Sequence, residues 1–166
     1  MTVEIRRVRR EDVEIFRTAR IVAVNDTPLA FGVTPEGLLA QTQQQWQERV
    51  DLLATHPTEA MFLAMDGEQA VGMMGAYFEE DDGCWVLMSV WVAPEHRGTG
   101  LTERLHSAVI AWVRAQGVEE IFLDVVLRNE RAVGFYNRVG YTPTGLVKKH
   151  HLHVDEDEME MVLRLG

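Results

Sequence analysis

The chain has 166 residues, 46% of them apolar and 25% charged, which is the make-up of one globular domain and excludes a disordered or fibrous chain. Acids outnumber bases 26 to 16, for a formal net charge of −10, so a general polyanion binder is disfavoured and cationic partners are favoured. The single cysteine, Cys84, excludes an internal disulfide and a cysteine metal cluster. No run approaches the ~18 apolar residues of a membrane span. The opening Met1-Thr-Val-Glu-Ile-Arg-Arg lacks the apolar stretch of a signal peptide. We therefore expect a soluble, cytoplasmic, single domain over residues 1–166.

Val3, Ile5 and Val8 alternate as on a strand. Glu11 and Asp12 lead into a helical pattern that includes Val13, Phe16, Ile21 and Val24, with the acids where the helix dipole favours them. Arg6, Arg7, Arg9 and Arg10 are interleaved with Glu4, Glu11, Asp12 and Glu14, which reads as a solvated strand edge and not as a nucleic-acid patch. Thr34-Pro35-Glu36 supplies a cap with proline at the first helical position. One long polar helix is expected to follow, with Leu38, Leu39, Trp46, Val50 and Leu53 on its apolar side and the glutamines of 41–45 on a solvated face.

Residues 60–65 and 69–78 read as two strands joined at the turn signal Asp66-Gly67. Asp81-Asp82-Gly83 turns the chain into a long apolar strand, Cys84 to Val92, in which Cys84 reads as a small buried hydrophobe and not as a nucleophile. After Ala93-Pro94 and Arg97-Gly98-Thr99-Gly100 comes a helix with Leu101, Leu105, Val109, Trp112 and Val113 on one face, ended by Gly117. Ile121 to Leu127 is a continuous apolar strand, expected to be buried on both faces. Asn129 caps a further helix that Gly140 stops, and Tyr141–Val147 and Met159–Leu165 close the chain as strands around a charged loop. Hairpins with occasional helices between strands indicate an α+β fold, a mixed, mostly antiparallel sheet flanked by helices.

The chemistry is concentrated where a buried strand meets the loop Pro94-Glu-His-Arg-Gly-Thr-Gly100 and a helix starting at its second glycine. Glycines at 98 and 100 let backbone approach a ligand, and the orphan N–H groups of the helix start, with Arg97, suit a phosphate or pyrophosphate. The dinucleotide pattern fails because Glu103 stands where its third glycine belongs, and no Gly-Lys-Ser/Thr triplet of a P-loop occurs. A second constellation follows the next strand: Asn129, Ala132, Phe135, Tyr136, Gly140 and Tyr141.

Together these stretches make the chain resemble the GNAT superfamily of acyl-CoA-dependent N-acyltransferases. The family's V-x-P-x-x-R-G-x-G-x-G/A is matched at Val92, Pro94, Arg97, Gly98 and Gly100, and its N-x-x-A-x-x-F/L-Y-x-x-x-G-F/Y at the second set. Thr102 departs from the family's glycine or alanine and narrows the diphosphate approach. The likeness spans roughly residues 60 to 165 in element order. It implies a GNAT-like fold with splayed fourth and fifth strands, the pantetheine arm of acetyl-CoA lying in the gap between them. By the same carry-over, Val90, Trp91 and Val92 hold the pantetheine amides, and Asn129 contacts that arm from the other side. The N–H groups of Gly98, Thr99, Gly100, Leu101, Thr102 and Glu103 hold the diphosphate with Arg97. Tyr136 takes the position of a tyrosine general acid beside the sulfur, and a backbone N–H near Trp91 faces the oxyanion.

The general base is left open. The strand from Cys84 to Val90 has no carboxylate, which leaves Asp124, an acid from Glu79, Glu80, Asp81 and Asp82, or water. His150, His151 and His153 sit beside Lys148, Lys149 and an acidic run, and no metal role is assigned to them. The resemblance implies acetyl transfer from acetyl-CoA to a primary amine, of a small molecule or a protein, without metal, nucleic acid or membrane. The rival reading is a silent acyl-CoA sensor. A homodimer through the C-terminal strands, with Met159, Met161, Val162 and Leu163, is also expected.

Overall fold

The computed structural model describes residues 2–166. Strands β1 (Glu4–Arg7), β2 (Glu59–Asp66), β3 (Gln69–Glu79), β4 (Cys84–Val92), β5 (Glu120–Val126), β6 (Thr142–Lys149) and β7 (Asp157–Arg164) form one sheet in the order β1-β2-β3-β4-β5-β7-β6. Neighbours are antiparallel except β4 and β5. Helices α1 (Val13–Asp26), α2 (Pro35–Leu39), α3 (Gln43–Thr55), α4 (Leu101–Arg114) and α5 (Glu130–Arg138) flank it. The α+β architecture expected from the hydrophobic pattern is the one formed. No described helix is long and apolar enough to cross a membrane.

The core sits under β3, where Ala70 to Ala76 are all buried, so both faces of that strand are covered. On α4, Leu105, Val109 and Val113 recur at four-residue spacing and are fully buried. They pack that helix onto the sheet, while Trp46, Val50 and Leu53 do the same for α3.

What positions the site is the path of β4. Its register against β3 pairs Met73 with Trp91 but Gly75 with Met88, so β4 carries an extra residue in between. Ser89 lies there at φ 55, the only positive φ outside glycine among the described residues. On its other side β4 pairs with β5 at Trp85↔Ile121 and Val86↔Phe122 alone. Beyond Val86 the two strands part, and the β4 edge from Leu87 to Val92 faces a gap instead of a neighbour. This is the splay the resemblance implies.

Several local expectations are corrected. The long helix after Thr34 is two helices, because Thr42 caps a new one. Its side chain accepts from Gln45 N at 3.1 Å while Gln45 Oε1 accepts from Thr42 N at 2.8 Å. Arg6 and Arg7 are not solvated. Arg6 donates to Asp12 at 2.5 and 3.0 Å, and Arg7 reaches three backbone carbonyls and lies over the Trp112 ring. Cys84 is half-buried, its thiol pKa raised by burial and by Asp82, so it stays protonated. Asp124 in the middle of β5 is exposed, so that strand is not buried on both faces. The C-terminal strand β7 lies inside the sheet between β5 and β6, and the edge at that end of the sheet is β6, exposed along its whole length.

The capping box yields a direct test. Thr42→Ala should lower stability by about 1 kcal/mol, and Thr42→Ser by much less, in denaturant melts.

Candidate active site

The gap between β4 and β5 opens into a cavity of about 700 Å³. Its walls come from the middle of α1 and the loop after that helix, the bulged half of β4, the start of α4, the end of β5, one face of α5 and Glu158 of β7. Val90, Trp91 and Val92 line it, as do Arg97, Gly98 and Gly100. Thr102, Glu103, Asn129 and Tyr136 complete the set of sequence-derived residues at its wall. Two others lie on the same loop without lining it: Thr99 is exposed, its hydroxyl donating to His96 O at 2.6 Å, and the Leu101 side chain is in the core.

Gly98 and Gly100 have φ of 77° and 87°, which only glycine adopts readily, and a Cβ built on either would meet nothing within 4 Å. The loop therefore needs glycine for its path, and the space above it is free for a ligand. Gly100 is the N-cap of α4, so the N–H groups of Leu101, Thr102 and Glu103 have no helical acceptor. These are the features of an anion cradle. At its rim Arg138 pairs with Glu103 at 3.3 Å.

The Arg97 guanidinium is turned inward: Nε donates to Val92 O at 3.0 Å and Nη2 to Asp26 at 2.5 Å. Trp91 Nε1 donates to the same Asp26 oxygen at 3.0 Å. Burial works against the charge on Asp26, but these two donors hold its carboxyl below the usual range. The last residue of α1 thus fixes both the end of β4 and the base of the loop. Asp26 had no signal in the sequence, since its partners are remote.

Asn129 caps α5, Oδ1 accepting from Ala132 N at 3.3 Å, which leaves its amide NH₂ without a partner among the described residues. Tyr136 is 6% exposed and lies edge-on to Phe135 and Tyr141, and its hydroxyl makes no hydrogen bond among the described residues. Burial raises its pKa, so the hydroxyl is fully protonated at neutral pH.

The carboxylates are sorted by their surroundings. Asp124 lines the cavity but is paired with Lys148 Nζ at 2.9 Å. Glu79, Glu80, Asp81 and Asp82 all lie outside the cavity wall. Glu158 on β7, unremarkable in the sequence, lines the cavity and is half-buried, and its carboxylate has no ion-pair or hydrogen-bond partner among the described residues. Burial raises its pKa, reinforced by Asp124 and opposed by Lys148 and His151.

A family model described as "Acetyltransferase (GNAT) family" matches residues 23–141, which contain the bulge, the cradle and Tyr136. The chain belongs to the GNAT acetyltransferase family. The uncharacterized N-acetyltransferase YobR of Bacillus subtilis (strain 168) is 33% identical over 73 residues, 44% of this chain and 28% of that protein. N-alpha-acetyltransferase 30 of Schizosaccharomyces pombe is 24% identical over 98 residues, 57% of this chain and 65% of that one. The chain thus spans less than two thirds of the length of either relative. Among solved structures, the GNAT acetyltransferase of Streptococcus pneumoniae superposes with a TM-score of 0.83 at 19% identity, over 99% of this chain and 100% of that one. The PaiA N-acetyltransferase of Thermoplasma acidophilum, solved in complex with coenzyme A, does so at 0.77 and 14%, over 99% of each chain.

Around the GNAT core, histidines have structural work at two places. His150 is 4% exposed, and its Nδ1 accepts from Leu152 N at 3.1 Å and His153 N at 3.2 Å. Burial, with His153 and His151 nearby, lowers its pKa, against backbone hydrogen bonds to Leu29 and Phe31. His151 Nε2 lies 3.2 Å from Gly32 O. The loop between β6 and β7 is thereby tied to the loop after α1, across the cavity mouth. Among the described residues no three His, Cys, Asp or Glu side chains are grouped to hold a metal. On α4, His106 Nε2 is 3.0 Å from the Tyr141 hydroxyl, and both rings pack into the aromatic group behind Tyr136.

Burial lowers the His106 pKa from 6.5 to about 4. The unfolded histidine takes up its proton near pH 6.5 and the folded one only near pH 4, so acid drains stability over that window. His106→Gln, which keeps an acceptor for Tyr141, should flatten the pH dependence between these limits by up to about 3 kcal/mol in pH-resolved denaturant melts.

Proposed function

We propose that the protein is an N-acetyltransferase that moves the acetyl group of acetyl-CoA directly to a primary amine, small molecule or protein amino group, with residues 1–166 acting as one catalytic domain. The observation that carries this reading is one cavity lined by the splayed β4 edge, the glycine cradle and a protonated, partner-free Tyr136. Backbone groups of Val90 to Val92 suit the pantetheine amides, and the cradle suits the diphosphate. Arg97 contributes by fixing the loop through Asp26 and Val92. Bound acetyl-CoA supplies an activated acyl carbon and a thiolate leaving group.

An amine arrives as its ammonium and must lose a proton to attack. Glu158 is the cavity carboxylate free to take it, since Asp124 is held by Lys148. As the nitrogen–carbon bond forms and the carbon–sulfur bond breaks, a β4 backbone N–H near Trp91 faces the developing oxyanion. Tyr136 gives its proton to the departing sulfur, and the surplus proton on nitrogen restores it. Glu158 returns its proton to water. The free Cys84 thiol suits the reducing cytoplasm as the place of action.

The homodimer is carried by β6, whose exposed edge presents Leu146 and Val147 at 50% and 52% exposure. Light scattering should report twice the 18.9 kDa of one chain, and a single 18.9 kDa species at all working concentrations overturns the dimer.

Tyr136→Phe keeps the ring, so acetyl-CoA should still raise the melting temperature of the variant. Turnover should fall roughly 10²–10⁴-fold, mainly in kcat. Glu158→Gln should lower kcat/KM roughly 10²-fold and remove the acidic limb of the pH–rate profile. Wild-type turnover in both folded variants would remove the two residues from the chemistry, whereas a melting shift with acetyl-CoA and no CoA release by the unaltered protein with any amine would support a silent acyl-CoA sensor.

A further inference from the structure

Most of the charged side chains at the cavity wall have an ion-pair partner. Arg97 pairs with Asp26, Arg138 with Glu103 and Asp124 with Lys148. Arg20, near the middle of α1, lines the cavity and has no carboxylate in ion-pair range among the described residues. Nη1 donates to the neutral Ser89 Oγ at 2.5 Å, and the guanidinium lies 5.0 Å from the Phe31 ring centre. No other hydrogen bond of its five donors is made among the described residues. Burial, with Arg49 close by, brings its pKa down to about 10, so it remains a cation at neutral pH with part of its hydration removed.

A partly desolvated cation without a counter-charge is costly in a folded chain unless a ligand supplies the anion. The diphosphate is not that ligand. Ser89 precedes Val90 to Val92 on β4, and the glycine cradle follows them, so Arg20 lies on the acyl side of the pantetheine path. Arg131, the other unpaired cation at the wall, is exposed on the first turn of α5, on the side of the cradle near Asp26. At the same cavity wall, Glu158 of β7, without an ion-pair partner among the described residues, provides the opposite sign.

We propose that the acceptor is an amine bearing its own carboxylate, an amino acid or related amino-carboxylate, whose anionic group binds Arg20 while its amino group faces Glu158. The proposal rests on the acetyl-transfer reading and narrows its acceptor. It also refines what the net charge suggested: −10 describes the whole chain, whereas the cavity wall carries an unpaired cation, Arg20, as well as an unpaired acid, Glu158.

The test has a binding arm and a turnover arm. Calorimetry of the enzyme saturated with CoA, titrated with N-acetyl amino acids and with the corresponding C-terminal amides, should show the acids binding roughly 10- to 100-fold more tightly. Arg20→Gln should erase that preference while acetyl-CoA still raises the melting temperature. Ser89→Ala, which removes the Arg20–Ser89 bond and keeps the charge, should preserve it. Equal binding of acids and amides, no binding of either, or loss of the preference in Ser89→Ala as in Arg20→Gln would overturn the proposal and leave Arg20 as a strut for the bulge. In the turnover arm, CoA release should be faster with free amino acids than with their amides. If the acids bind through Arg20 but no amine releases CoA, the anchor stands and the acetyl-transfer reading falls.

Discussion

Everything at the candidate site depends on one irregular residue in β4. A regular strand from Cys84 to Val92 would pair with β5 along its length and leave no space between them. The extra residue at Ser89, held at φ 55, turns the second half of the strand away. A positive φ is unfavourable for serine, on the order of 1 kcal/mol or more, and the surrounding structure must hold it there. Arg20 is placed to do so through the Ser89 hydroxyl, and Asp26 fixes the far end of the same segment through Trp91. Both come from α1, so the helix that opens the chain determines the shape of a strand more than sixty residues later.

The two halves of the site obey different electrostatics. The cradle uses backbone dipoles, whose donors are fixed by the path of the loop and cannot titrate. The acyl end uses side chains whose charges depend on how much water they keep. Lys148 neutralises Asp124, so Glu158 stands alone on the same wall. An aromatic group of Phe135, Tyr136 and Tyr141 closes the other side, with His106 held uncharged behind it. The Tyr136 hydroxyl consequently meets apolar surroundings on the chain side and open space on the cavity side.

The parts of this arrangement that were legible in the sequence are those specified locally. Gly98 and Gly100 are required by their own backbone angles, and Asn129 caps the residues beside it, so a short window carries the signal. Tyr136 was placed by the motif around it. What escaped the sequence is made by remote contacts. Asp26 looks like any loop acid until Trp91 and Arg97 meet it, and Glu158 is one of many acids in the last dozen residues. Arg6 and Arg7 read as solvated because their strand is at the sheet edge, yet the chain folds back to cover both. The break before α3 was legible after all, in the Thr42–Gln45 capping box, but helical periodicity on both sides concealed it.

The shortness of the β4–β5 pairing also divides the molecule mechanically. Two residue pairs join these strands, whereas seven join β5 to β7. The sheet is therefore two stiff plates meeting at a narrow seam: β1 to β4 with the helices packed on them, and β5 with the β6–β7 hairpin. Thermal opening will be easiest along the seam, where few strand hydrogen bonds break. The histidine tie from the β6–β7 loop to the loop after α1 bridges the plates a second time, at the opposite side of the cavity. A molecule lying in the gap and bonding to both edges takes the place of the missing ladder. Occupancy then stiffens the whole sheet, turning two plates into one without any change in how either plate is built.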